Sequence, residues 1–251
     1  MQTVKKIYRS NYAGEDIVKT LTWENGNWTK ETEYAPNAVT NNQISNRAVV
    51  IGNGPSRLLH YPQGDLLGII SRHKGGVLAS GAVQTYGCNA LYRDFAPDFL
   101  VCSNDMANEI AASGYCADNI VYGSADAVLA YPGKFYLTPQ NPSWDAGAIA
   151  AYLACFDGHK QVYLLGFDNH SGESTVNYSV YAGTNNYPEF LDSNNTEAFF
   201  TKSLLSVMNT YTDVEFIRVV VSTNGYCPEQ WKFLVNFRQL EFRDFASEID
   251  L

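Results

Sequence analysis

No apolar run in the 251 residues is long enough to cross a bilayer, which takes about 20 residues. Lys5 and Lys6 stand near the N-terminus, yet no apolar stretch follows them as it would in a secretion signal. The expectation is a cytoplasmic chain without a membrane span. Positive charge is scarce as well: 17 Lys and Arg face 26 Asp and Glu, a net charge of −9, which disfavours nucleic acid as a partner. Cysteine is sparse and scattered. Cys88, Cys102, Cys116, Cys155 and Cys227 form no Cys-x-x-Cys pair and no metal-ligand spacing, so the reading is reduced thiols and no metal. Histidine occurs four times; His60, His73 and His159 border loops and read as surface residues, and His170, two residues past Asp168, is by position the acid/base candidate or else a loop histidine with no ligand.

What is plentiful is apolar and aromatic surface. With 45% hydrophobic and 14% aromatic residues against 17% charged ones, burial can offset the entropy of ordering. Residues 1–46 stand apart as a polar segment in which Asn25-Gly26 separates two alternating runs, Ile17 to Trp23 and Trp28 to Tyr34. A two-residue turn needs positive φ, which Asn and Gly tolerate, so a β-hairpin is expected, followed by a polar connector. From residue 47 onward short apolar runs start at Ala48, Leu66, Val83, Phe99, Asn119, Lys134, Gln161 and Val214, and residues 145–156 and 196–211 have helical composition. Continuous apolar strands are covered on both faces. The expected fold is therefore α/β, a mostly parallel Rossmann-like sheet with helices on both faces, preceded by an N-terminal β-hairpin appendage, with domains 1–46 and 47–251. The aromatics of residues 231–245 suit a strand or a helix equally.

Such sheets bind ligands at the carboxyl ends of their strands. Gly52-Asn53-Gly54-Pro55-Ser56 follows the first apolar run; its glycines and free amides suit a phosphate or nucleotide, and equally an ordinary tight turn. Asn89, Asn104 and Asp105 stand at or just beyond strand ends, where amides and a carboxylate recognise a base or ribose, or cap helices. Gly147 opens the most apolar helix, whose N–H groups suit a phosphate, and Asp168 ends the next strand, two residues before His170. Residues 177–187, with Tyr178, form a connection long enough for a lid or for packing on the body.

Val49-Val-Ile-Gly-Asn-Gly-Pro-Ser56, Cys88-Asn89-x-x-Tyr92, Gly147 on an alanine-rich helix and Tyr163-Leu-Leu-Gly-Phe-Asp168 together resemble the bacterial sialyltransferases of glycosyltransferase family 42. They also resemble the related domain of archaeal 6-hydroxymethylpterin pyrophosphokinases. The resemblance implies a metal-independent, nucleotide-sugar-dependent glycosyltransferase that takes a CMP-linked donor and a glycan or other hydroxyl acceptor. By that resemblance the nucleotide falls to Asn53, Gly54, Ser56, Asn89 and Gly147; position at the strand ends and in the following loops adds Gly52, Asn104 and Tyr178 for binding and His170, Asp168 and Asp105 for catalysis. Two departures stand out: Ala146 replaces the family's serine, and no histidine follows His170, where the family has its general base further downstream. His170 itself stands where the family has a tyrosine facing the leaving phosphate. The set is also similar to bacteriophage proteins, which keeps open a non-catalytic or virion-associated role, a host-cytoplasm or virion location, and a homo-oligomer.

Overall fold

The computed structural model describes residues 3–11, 14–24, 27–33, 46–61, 64–75, 83–140, 142–168, 179–189, 193–223 and 226–249, with the backbone alone for 3–33 and 193–198. The expected hairpin is present: β2 (Gly14–Glu24) and β3 (Asn27–Glu33) run antiparallel with Trp23 opposite Trp28 and Glu24 opposite Asn27. Its turn, Asn25-Gly26, lies outside the described residues. A third strand, β1 (Thr3–Asn11), pairs with β2 and was not foreseen.

The remaining elements follow in chain order: β4 (Arg47–Ile51), a 3-10 turn Pro55–Leu58, the two-residue strands β5 (His60–Tyr61) and β6 (Gly64–Asp65), α1 (Leu66–His73), β7 (Gln84–Cys88), a 3-10 turn Asn89–Arg93, β8 (Phe99–Val101), α2 (Asn104–Ser113), β9 (Ile120–Gly123), α3 (Ala125–Ala130), β10 (Tyr136–Leu137), α4 (Ala146–Phe156), β11 (Gln161–Leu165), α5 (Ser193–Thr210), β12 (Glu215–Val220), β13 (Phe237–Glu241) and α6 (Phe242–Glu248). The main sheet has the order β10-β9-β8-β7-β4-β11-β12-β13, and every pairing in it is parallel. The strand order runs outward from β4 in one direction and from β11 in the other. The pair β4/β11 is thus the switch point at which α/β sheets open a crevice.

Period-two alternation divides the core into two layers. Val49 and Ile51 of β4 and Tyr163 and Leu165 of β11 join Leu66, Ile70, Met106 and Phe245 on one face. Ala48, Val50, Val162 and Leu164 join the alanines of α4 and Leu204, Val207 and Met208 of α5 on the other. The short side chains of α4 let it lie close on the sheet, and Ala150, Ala151 and Ala154 are fully buried there.

Two expectations are corrected. Residues 66–70 are helix rather than strand, because the Asp65 carboxylate accepts from Gly68 N at 2.7 Å and caps a run whose buried residues, Leu66, Ile69 and Ile70, recur at helical spacing. His159 is fully buried rather than a surface residue: its Nε2 lies 2.9 Å from Gln84 Oε1 and 3.1 Å from the Tyr86 hydroxyl.

Candidate functional site

At the switch point the loop after β4 is sewn to the loop after β11. Gly52 N donates to Leu165 O at 2.7 Å and Gly54 N to Gly166 O at 2.8 Å. Ser56 N donates to Asp168 Oδ2 at 2.8 Å, and Gly166 N donates to Ser56 Oγ at 3.1 Å. A Cβ on Gly54 would stand 2.2 Å from Asp168 Oδ2, and one on Gly52 2.5 Å from Gly166 O. The glycines therefore make room for the neighbouring strand's loop. The same contact engages Asp168, whose carboxylate holds the Ser56 amide. Arg218 lies within electrostatic reach of it; burial lowers that guanidinium's pKa and Asp168 opposes the shift.

One strand over, at β7, Asn89 adopts φ +50°, a left-handed conformation that asparagine tolerates, and its Oδ1 accepts from Ser103 N at 2.8 Å. Asn53 Nδ2 donates to the Tyr187 hydroxyl at 2.8 Å, Asn89 hydrogen-bonds the same hydroxyl, and Ala90 N approaches it at 3.5 Å. Two amides from adjacent parallel strands thus converge on one oxygen. Asn53 Oδ1 is buried with no hydrogen-bond partner among the described residues. Burial pushes the Tyr187 phenol above its ordinary range.

Tyr187 belongs to residues 179–187, which pack on the body. Val180 N donates to Asn53 O at 2.8 Å. Arg93 donates to Thr184 Oγ1 at 2.8 Å and Asn185 O at 2.9 Å while pairing with Glu109, and Asn186 Nδ2 donates to Glu109 Oε2 at 2.8 Å. Burial works against ionisation of Glu109, but hydrogen bonds from Tyr92, Arg93 and Asn186 hold its carboxyl below the usual range.

The start of α4 is capped from within. Asp145 Oδ1 accepts from Ala148 N at 3.0 Å. A Cβ on Gly147 would lie 3.1 Å from that oxygen and 3.2 Å from the Phe167 ring. The helix N–H groups expected to face a phosphate thus meet the chain's own carboxyl. Burial pushes Asp145 up to about 6, against the pull of its hydrogen bonds to Ala148 and Gly147.

Of the residues singled out in the sequence, Gly52, Asn53, Gly54, Ser56 and Asp168 meet at the switch point, and Asn89 joins Asn53 through Tyr187. Asn104 begins α2 and accepts from the Ser124 hydroxyl, tying the ends of β8 and β9 together. Asp105 is exposed on the first turn of α2, whose N-cap is Ser103. His170 and Tyr178 lie outside the described residues. The sequence reading gave no site role to Asp145, Arg57, Arg93 or Glu109 and treated Tyr187 only as one of the tyrosines of the 177–187 connection. Asp145 had a legible signal, an acid directly before an apolar helix; the other four are brought in by chain segments remote in sequence. Among the described residues no group of three or more His, Cys, Asp or Glu could hold a metal ion, and no helix is long and apolar enough to cross a membrane.

A parallel sheet with helices on both faces, reversing at β4/β11 and carrying amide-bearing loops at that rim, defines a Rossmann-like α/β protein. No protein-family model and no curated protein matches the sequence. Similar solved structures include the sialyltransferase CstII from Campylobacter jejuni in complex with the substrate analogue CMP-3FNeuAc, with 11% identity over 68% of this chain and 81% of that one and a TM-score of 0.41. The monofunctional α-2,3-sialyltransferase Cst-I from Campylobacter jejuni has 12% identity over 69% and 75% and a TM-score of 0.40. CstII in complex with a trisaccharide acceptor and CMP has 12% identity over 68% and 80% and a TM-score of 0.39. The strand order and parallel pairing of this chain, rather than these likenesses, define its class.

Proposed function

We propose that the chain is a nucleotide-sugar-dependent glycosyltransferase of the sialyltransferase kind, taking a CMP-type donor and a glycan or other hydroxyl acceptor. The observation that carries this reading is the convergence of the Asn53 and Asn89 amides on one point at the rim, with Asn53 Oδ1 buried and unpaired beside it. Amide groups so placed read the donor and acceptor edges of a base or ribose. Gly54, Asn104 and Tyr178 complete the nucleotide's surroundings in this reading. His170 offsets charge on the departing phosphate, and the acceptor hydroxyl loses its proton to Asp105, Asp168 or a residue of the connection over 177–187. Asp168 already accepts from the Ser56 amide, whereas Asp105 is exposed on the first turn of α2.

A second reading, a module that keeps the fold without the chemistry, draws on Tyr187 standing where the amides converge and on Asp145 capping α4. Thermal-shift measurements with CMP, UMP, CMP-linked and UDP-linked sugars and ATP, each with and without magnesium, separate the readings. A ligand at a hundredfold excess over its dissociation constant adds about 2.7 kcal/mol. A rise with cytidine nucleotides that ignores magnesium supports the transferase, and a rise with ATP only in the presence of magnesium indicates pyrophosphokinase-like transfer. No response to any nucleotide leaves the non-catalytic module.

A further inference from the structure

Arg57 stands where a dinucleotide fingerprint would have its third glycine, and the reading above gives it no role. Its side chain is fully buried. Nη2 donates to Asp94 Oδ2 at 2.9 Å and to the Tyr181 hydroxyl at 2.6 Å, while Nε and Nη1 are buried with no hydrogen-bond partner among the described residues. Four residues earlier, in the same turn, Asn53 Oδ1 is the unpaired acceptor already noted. One short loop at the switch point therefore holds two unsatisfied charged donors and one unsatisfied acceptor. A buried group left unpaired destabilises the fold, and a charged one does so more strongly.

Asp94 does not discharge this guanidinium fully. Its side chain is 43% exposed against 0% for Arg57, so water screens its field while the cation stays desolvated. Tyr181 and Tyr187 roof the loop: their ring centroids are 5.6 Å apart, Arg57 lies 5.0 Å from the Tyr181 centroid, and Asn53 holds the Tyr187 hydroxyl. The charge also reaches the end of β7, where burial pushes the Cys88 thiol up to about 12 and Arg57 pulls the other way.

We propose that Arg57 binds an oxyanion through Nε and Nη1 at the carboxyl end of β4, beneath Tyr181 and Tyr187 and beside Asn53. The ligand is a phosphate ester that also carries a hydroxyl or amine able to donate to Asn53 Oδ1. The anion subsite rests on Arg57 itself; its identification with a nucleotide's phosphate rests on the function proposed above. Guanidinium suits the task, since its donors are fixed in a plane and its charge survives burial. Entry requires residues 179–187 to lift, because Tyr181 covers the cation.

The test titrates pyrophosphate, CMP and cytidine into the full chain at constant ionic strength and measures affinity by calorimetry. CMP is expected to bind more than about tenfold tighter than cytidine, in line with a charge-assisted hydrogen bond. Arg57→Lys should reduce that ratio severalfold and Arg57→Gln should bring it close to one. If both variants keep the wild-type ratio, or if neither pyrophosphate nor CMP binds the wild type, the proposal is overturned and an enclosed water accounts for the free donors. Pyrophosphate binding without CMP binding keeps the anion subsite and removes the nucleotide reading. CMP binding whose ratio ignores Arg57 does the reverse. Should Arg57→Gln fail to fold, Arg57→Lys decides, together with the phosphorus NMR shift of bound CMP, which an unconnected arginine would leave unmoved.

Discussion

The side-chain amide of Asn53 donates to the hydroxyl of Tyr187 at 2.8 Å, joining positions 134 residues apart. Together with Val180 N donating to Asn53 O, that bond ties the turn after β4 to the loop that covers it. Tyr187→Phe removes the oxygen and leaves the Asn53 amide short of a partner, at a cost of about 1 kcal/mol in stability. A nucleotide reaching the same amides then no longer displaces a hydrogen bond, so CMP affinity should rise about fivefold. Calorimetry and urea denaturation measure the two effects; unchanged or weaker CMP binding would show that the hydroxyl does not compete with a ligand.

Asn89 carries both a backbone and a side-chain duty, and two substitutions separate them. Asn89→Gly keeps the φ of +50° at no steric cost but loses the bond to Ser103 N, whereas Asn89→Ala adds about 1 kcal/mol of left-handed strain. Both should lose the nucleotide-induced thermal shift, and the alanine variant should be the less stable. A glycine variant that still responds fully to CMP removes Asn89 from the site.

Gly54→Ala should be among the most damaging substitutions in the chain. Its Cβ would meet Asp168 Oδ2 at 2.2 Å and Gly166 O at 2.7 Å, forcing apart the two loops of the switch point. A loss of about 3 kcal/mol, or failure to fold, is expected. A variant with near-native stability would mean that the loops after β4 and β11 separate easily.

Asp145 gives the stability a pH signature. Its folded-state value of about 6 lies above the ordinary 3.8, so between those values the folded chain binds more protons than the unfolded one. Its contribution is complete below the unfolded value and is lost as pH rises through about 6. Asp145→Asn, which still caps α4, should lack this decline and be more stable than the wild type at pH 8 by up to about 3 kcal/mol. Parallel stability profiles of the two proteins from pH 4 to 8 would refute the shift.

Arg93 and Glu109 latch residues 179–187 to the body. Arg93→Ala should accelerate hydrogen exchange at the Val180, Gly183 and Tyr187 amides about tenfold, equivalent to about 1.4 kcal/mol, while leaving the amides of β4 and β11 protected. Because the Glu109 carboxyl is held below its ordinary range, the latch is present above that range and is released as pH falls through the lowered value. Exchange at these amides that is insensitive to both the substitution and acid would leave the latch without effect.

Strands such as 161–165 were legible as short continuous apolar runs, and the helix from Ala146 as an 11-residue alanine-rich stretch too long for such a strand. The run at Leu66 was misread because five apolar residues in succession suit either period, and the deciding cap at Asp65 lies just outside it. The strand–helix pair at 237–248 stayed ambiguous for a similar reason, since aromatics there satisfy both geometries.

By itself the sequence determined the layered α/β architecture, the hairpin in front of it and the glycine turn at its rim, all of which follow from local periodicity and turn chemistry. Only the tertiary structure decided what those rim groups touch. Asp168 holds the Ser56 amide, Asp145 caps α4, Tyr187 stands between Asn53 and Asn89, and Arg57 is buried with donors to spare. Most of these contacts join segments remote in the chain, and whether a polar group is satisfied depends on partners that residue spacing does not specify.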